Sequence, residues 1–142
     1  MNNPLIVVDA DAIIAQAHEG DANHRKALFI SGNLNARQAH IIYPASAIAE
    51  AITVLFGRLD KRIVAQAVAV SFTDLHIQIA HINQTMISHA LKYFDPKASK
   101  NHTFFDCIVA AVAEQYKADA IFSFDRFYEK KGFTLAEDVY DA

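Results

Sequence analysis

Four acids stand in company where acids are rare. Asp9 ends the apolar run LIVV, and Glu50 is the only charge between His40 and Arg58. Asp106 is the only charge in FFDCIVAAVA, and Asp125 follows IFSF. An ionised carboxylate in apolar surroundings is costly unless it is paired or metal-bound. Four carboxylates brought together repel one another, so either some hold protons or a hard cation neutralises them. Oxygen-only ligands favour Mg²⁺ or Mn²⁺, which bind through a few carboxylates and keep waters. Such a site suits phosphodiester hydrolysis: the metal positions and deprotonates a water and stabilises charge on the phosphate and the leaving oxygen.

The elements that must position these acids alternate. Leu5–Val8 reads as a short buried strand, followed by a helix Ala12–Ala17 with Asp11 as its N-cap. Asn23–Ala36 reads as a helix and His40–Tyr43 as a strand. Pro44 suits the first turn of the next helix, Ala45–Arg58, which is apolar nearly all round and so expected to be largely buried. Asp60 is expected to cap a helix reaching Ser71, Leu75–Ala80 alternates as a strand, and Gln84–Phe94 is helical. After a polar loop, Lys97–His102, come a strongly apolar helix Thr103–Tyr116, a strand Ala120–Ser123 and a short helix Asp125–Lys131 stopped by Gly132. A last strand is expected within Phe133–Tyr140. Strands alternating with helices predict an α/β fold: a short central parallel sheet of about 4–5 strands with helices on both faces. Sheets of this kind bind ligands at the carboxyl edge. Asp9 and Asp125 leave that edge from two strands. Asp106 opens a helix there, and Glu50 lies about two turns, roughly 9 Å, into the helix leaving the second strand.

Each acid also has a structural reading. Asp9, Asp11 and Asp125 are plausible helix caps, and Thr103 with Asp106 fits a cap-and-first-turn acid pattern. Glu50 could face solvent or pair with Arg58. The set says more than any member.

Composition narrows the function classes. At 142 residues, 53% of them hydrophobic, the chain fits one domain, 1–142, with a real core. No apolar run approaches the roughly 20 residues of a membrane span. The start MNNPLIVV lacks the marks of an export signal. A single cysteine, Cys107, rules out an internal disulfide and a Cys-rich zinc site, and fits a reducing cytoplasm. A net charge of −3 with pI about 6.1 is not broadly basic. Any nucleic acid must therefore be met by a local patch or a bound cation.

In order and spacing these motifs resemble the PIN-domain family, most closely the VapC-like toxins of toxin–antitoxin pairs, from Ile6 to about Leu135. IVVDADAII resembles the family's strand followed by Asp-x-Ser/Asn/Asp, with Asp9 as the first acid and Asp11 at the next polar position. PASAIAEAITVL resembles the helix that carries a Glu, here Glu50, with Ser46 one turn earlier. TFFDCIVAAVAEQYKADAI is similar to the alanine-rich helix opened by an acid, here Asp106. FSFDRFY matches Thr/Ser-x-Asp with a nearby aromatic, giving Ser123, Asp125 and either Phe127 or Tyr128. Many relatives have one more residue before that aromatic, so its equivalent stays open here.

The resemblance implies a single-domain PIN-like fold and a metal-dependent ribonuclease. Asp9, Glu50 and Asp106 would be the core ligands of one or two Mg²⁺ or Mn²⁺ ions, and Asp125 would complete the site. Asp11, Ser46 and Ser123 would support the ligands. It also implies a homodimer held inactive by a small antitoxin protein. Among basic residues near the acids in sequence, Lys97, Lys100, His102 and Arg126 are candidates to contact RNA. The spacings among the seven histidines match no helical metal-ligand pair. Two other classes compete. VVDADAI also looks like the Asp-x-Asp opening of haloacid-dehalogenase phosphatases, with Asp9 as nucleophile, although the later Lys and acidic pair are not cleanly present. The acids could also mark a non-catalytic PIN scaffold for a protein partner.

Overall fold

Aliphatic residues at every position of LIVV leave that strand no polar face. In the computed structural model, Ile6, Val7 and Val8 of β1 (Leu5–Val8) are buried, so both faces of the strand are covered. The structure describes residues 3–141; residues 1, 2 and 142 of the expected 1–142 unit lie outside it. β2 (His40–Pro44) pairs with one side of β1, and β4 (Ala120–Phe122) with the other. β3 (Gln78–Ala80) lies beyond β2, giving the order β3-β2-β1-β4 with every pairing parallel. Ile6 sits opposite Ile41 on one side and Ala120 on the other. The chain turns one way from β1 to reach β2 and arrives on the opposite side at β4. The carboxyl ends of β1 and β4 therefore bound the crevice where such sheets hold ligands.

Eight helices cover the described sheet: α1 (Ala10–Ala17), α2 (His24–Ala36), α3 (Ala45–Phe56), α4 (Arg62–Ser71), α5 (Gln84–Ala90), α6 (Phe104–Tyr116), α7 (Phe127–Lys130) and α8 (Ala136–Tyr140). α6 is the central one. Every residue from Asp106 to Ala113 is buried, and its alanines let the helix lie close against β1 and α3. α1 packs on α2 and α3, and α2 on α8. None of the described helices is long and apolar enough to cross a membrane.

The differences from the sequence reading have local causes. α1 begins at Ala10, not Ala12, and Asp9 rather than Asp11 is its N-cap, its carboxylate accepting from the Ala10 N–H at 2.7 Å. α3 is buried only through Ala47, Ile48, Ala51 and Leu55; Phe56 is 49% exposed. Asp60 does not cap α4. It adopts a left-handed φ of 53°, and Lys61 precedes the helix. β3 is only the end of the expected Leu75–Ala80 strand, since Leu75 lies beyond the sheet at 97% exposure. Gln84–Phe94 divides into α5 and a 3-10 turn, Leu91–Tyr93. The expected last strand is reduced to one parallel bridge, Ile121 to Leu135, before α8 begins. Gly132, at φ +94°, makes the turn that brings the chain back to that bridge.

Candidate active site

Asp9, Asp11, Glu50, Asp106 and Asp125 line one cavity of about 350 Å³ at the carboxyl edge of β1 and β4. Arg58, Lys100, Asn101 and Thr103 share its wall. Five carboxylates thus face two permanent cations.

Asp9 leaves β1 and caps α1. Its Oδ1 accepts from Ala10 N–H, while Oδ2 accepts from the Tyr128 hydroxyl at 2.7 Å and the Ser123 hydroxyl at 3.2 Å. Asp9 and Ser123 are buried, and Tyr128 is fully buried. The Asp9 carboxyl is raised above the usual carboxylate range: burial outweighs its three hydrogen bonds, and the charge of Asp125 adds to the shift. Asp11 is raised well above, by burial first and then by the charge of Asp9. Asp11 Oδ2 accepts from the Phe124 N–H at 2.8 Å and sits 3.0 Å from the Ser123 hydroxyl. One hydroxyl hydrogen cannot serve Asp9 and Asp11 fully at once. Asp11 Oδ1 is buried with no hydrogen-bond partner among the described residues.

Asp106 comes from the first turn of α6, where its Oδ2 accepts from the Thr103 N–H at 3.0 Å. That is the carboxylate half of a capping box, so the structural and chemical readings of this acid hold together. Its other oxygen lies 3.5 Å from the Tyr128 hydroxyl. Burial, then the charges of Asp9, Asp125 and Glu50, push Asp106 up to about 7. Glu50 reaches the same cavity from the second turn of α3, which packs beside α1. Burial and Asp9 push it up to about 7, against the opposing pull of Arg58. No hydrogen bond or ion pair fixes Glu50 among the described residues. Asp125 follows β4; its Oδ1 accepts from the Phe127 N–H at 2.9 Å, and its own N–H donates to Ser123 Oγ at 3.1 Å.

The other expected site residues divide. Ser123 lies at the centre, tying Asp9, Asp11 and Asp125. Ser46 does not line the cavity, and its Oγ is buried without a partner among the described residues. Lys100 lines the cavity, and His102 Nε2 lies 3.9 Å from Asp125 Oδ1. Lys97 is exposed and does not line it. Arg126 turns away, with its guanidinium 2.8 Å from Asp138, 3.1 Å from Glu129 and 3.9 Å from Glu137. Of the two candidate aromatics, Tyr128 reaches the acids, and Phe127 lies against the His102 ring. Sequence reasoning did not anticipate the hydroxyl tether from Tyr128, whereas Arg58, weighed there as a partner for Glu50, does share its cavity. A polar group on an otherwise apolar FY pair was the available signal for the tether.

The donor set fits a hard dication. It is all oxygen, it carries excess negative charge, and Asp11 Oδ1 has no other partner among the described residues. Among the described residues no three His, Cys, Asp or Glu side chains converge closely enough to enclose an ion by themselves. Sites that use one or two carboxylates and retained water do not need such a cage.

The raised carboxyls predict the pH dependence of stability. Glu50 rises from 4.5 and Asp106 from 3.8, each to about 7. Between those limits the folded chain holds protons that the unfolded chain has released, so stability falls as pH rises. Cation-free protein should melt roughly 3–5 °C lower at pH 7.5 than at pH 5, a small drop because Glu50 is only half-buried and solvent screens its charge. Excess Mn²⁺ at pH 7.5 should reverse it. Thermal melts across this window check both effects, and a melting temperature that climbs from pH 5 to 7.5 would contradict them. Surface acids whose pKa is lowered, such as Glu114 and Asp138, lose their stabilisation only at lower pH, outside the window.

The chain was compared with known proteins. The PIN-domain family model matches residues 6–133. The fold is similar to the crystal structure of Mycobacterium tuberculosis VapC20, described as a sarcin-ricin loop cleaving toxin, at 21% identity and a TM-score of 0.76, over 91% of this chain and 96% of that one. No curated protein sequence matches the chain. The four-stranded parallel sheet, the acids at its carboxyl edge and a family match over nearly the whole length agree, and the chain belongs to the PIN-domain family.

Proposed function

We propose that this protein is a divalent-cation-dependent endoribonuclease and the toxin of a toxin–antitoxin pair. One observation carries the reading: Asp9, Glu50, Asp106 and Asp125 arrive from four separate segments in a single cavity of a PIN-family chain. The RNA-cleaving description of VapC20 supports it. Asp9, Glu50 and Asp106 would hold Mg²⁺ or Mn²⁺, with Asp125 completing the set. When bound, the cation acidifies water and offsets charge on the phosphate.

The chain's own residues supply the rest. Ser123 and Tyr128 fix Asp9 Oδ2, and Thr103 fixes Asp106, so two carboxylates are oriented before substrate arrives. Glu50, restrained by no hydrogen bond among the described residues, takes the proton of the attacking water. The water oxygen bonds to phosphorus as the bond to the leaving nucleotide oxygen breaks, and the proton that Glu50 took passes to that leaving oxygen. Arg58 and Lys100 on the cavity wall meet the phosphate oxygens that the carboxylates would otherwise repel.

The reading is tested by incubating purified protein with structured RNA in Mg²⁺ or Mn²⁺, with a chelator control. Cleavage that the chelator abolishes is expected. Metal-independent cleavage, or none with any RNA tried despite bound metal, would count against it. The basic residues give a paired prediction. Lys100→Ala should raise KM several-fold and flatten the salt dependence of binding by about one unit of slope. Arg126→Ala should leave KM near wild type, because its guanidinium is committed to Asp138. Steady-state kinetics at two salt concentrations distinguish them.

The resemblance adds a small antitoxin and a second copy of the chain as partners, and the single thiol of Cys107 suits a cytoplasmic setting. An apolar cleft of about 640 Å³ between α3 and α4, bordered by Phe56 and Ile63, is surface of the kind such a partner covers. The haloacid-dehalogenase reading is not retained, because the PIN match spans the chain.

A further inference from the structure

A second cavity, of about 230 Å³, adjoins the carboxylate one, and its lining includes Phe94, Asp95, Ser99, His102, Phe127 and Lys131. The partition between the two is a ring pair: His102 lies on Phe127 with centroids 5.2 Å apart and planes tilted 40°. Both residues also meet Asp125, one of the acids of the carboxylate cavity. His102 Nε2 is 3.9 Å from Asp125 Oδ1, and the Phe127 N–H donates to that same oxygen. The loop before α6 alternates between the cavities, with Lys100, Asn101 and Thr103 on one and Ser99 and His102 on the other. The second cavity is therefore linked to the carboxylates through Asp125, on the side where the unit next to a phosphate held there could lie.

We propose that this cavity receives the nucleobase adjoining the scissile phosphate and sets the base preference of cleavage, an inference that rests on the ribonuclease reading for its phosphate. The chemistry of the lining is that of a base pocket. Phe127 and His102 form an aromatic wall, and Phe94, 46% exposed at the rim, offers a second ring face. Base–aromatic stacking is the common way single-stranded RNA is held. Asp95 supplies an acceptor for a base N–H: its Oδ1 takes the Lys97 backbone N–H at 2.9 Å, and Oδ2 carries no hydrogen bond among the described residues. Lys131 Nζ stands 5.6 Å from the Phe127 ring centroid, where it can meet the next phosphate while stacking on the same ring. On a chain of net charge −3, a lysine, aromatic faces and acceptors gathered beside a phosphate-sized site suit a nucleotide.

The test uses two arms. In the first, wild type, Phe94→Ala and Lys131→Ala digest RNA oligonucleotides randomised around the cut, and the products are sequenced. In the second, nucleoside 5′-monophosphates or inorganic phosphate are titrated into isotope-labelled protein, without divalent ion, and amide shifts are followed by NMR. We expect one preferred base beside the cut. Phe94→Ala should relax that preference and raise KM roughly tenfold with kcat unchanged. Nucleotides should shift amides around Phe94, Ser99 and Lys131 in a base-dependent way that phosphate does not reproduce. The proposal is overturned if wild type cleaves without base preference, or if the variants keep preference and KM. It also falls if nucleotides leave the cavity unshifted, as they would if a protein partner occupied it. If wild type cleaves no RNA, the ribonuclease reading fails, and the nucleotide titration alone decides the cavity.

Discussion

Asp9→Asn is expected to lower RNA cleavage by about a thousandfold while making the cation-free protein more stable. The two effects have one cause. Asp9 is buried beneath the cavity, its carboxyl is raised by desolvation and by the charge of Asp125, and its own charge raises the carboxyls of Asp11, Glu50 and Asp106. A neutral amide of the same shape removes that repulsion. It can still accept from the Ala10 N–H through its oxygen, and its amide can donate to the hydroxyls of Ser123 and Tyr128. The gain should be about 1 kcal/mol, seen as a melting temperature a few degrees higher at pH 7.5. The same change removes the one carboxylate that the other acids surround, so dication binding and hydrolysis should collapse together. Kinetics and melts on a single preparation check the pair. A variant that loses activity because it unfolds, or that keeps activity above a tenth of wild type, would contradict the account.

Tyr128→Phe removes one oxygen atom and should lower kcat by about 10- to 100-fold, the range usual for groups that orient metal ligands. The Tyr128 hydroxyl donates to Asp9 Oδ2 at 2.7 Å and lies 3.5 Å from Asp106 Oδ1, so it spans the two acids from beneath. Neighbouring Asp9 and Asp106 hold this phenol protonated, its pKa raised well above the ordinary value, first by burial. Without the hydroxyl, Asp9 keeps only Ser123 on that oxygen, and Asp106 loses its link to Asp9. A role confined to packing would leave kcat intact, because the ring of Phe fills the same space. The informative readout is therefore the concentration of Mn²⁺ for half-maximal rate, which should rise with the fall in kcat. Phe127→Leu gives the contrast in that readout alone: its ring faces His102 and the proposed base pocket, so RNA binding should weaken, while the acids keep their hydroxyl and the Mn²⁺ requirement stays at the wild-type value.

Much of this arrangement was legible in the sequence because acids inside apolar runs are conspicuous. LIVVD places Asp9 at a strand end, and TFFD places Asp106 in the first turn of a helix; both positions follow from local pattern alone. Glu50 is different. Its arrival in the cavity depends on how α3 leans on α1, a packing relation that no local pattern records. The direction of Arg126 was equally hidden. It faces Glu137 and Asp138 because the segment expected as a last strand forms only a bridge at Leu135 and then α8, which brings those acids back beside α7. The cap of α1 was misplaced by two residues because Asp9 and Asp11 are both good capping residues; the bend after β1 decides in favour of Asp9. The extent of β3 could not be read from alternation alone, since it is an edge strand of three residues whose expected start, at Leu75, finds no partner.

The central claim is that the acids at the carboxyl edge of β1 and β4 form one dication site. Anomalous scattering from crystals of the wild-type protein soaked in Mn²⁺ tests it most directly. A peak inside the cavity bounded by Asp9, Glu50 and Asp106, absent from Asp9→Asn crystals treated alike, is the predicted result. No peak there at saturating Mn²⁺, in a protein that still cleaves RNA, would contradict the account.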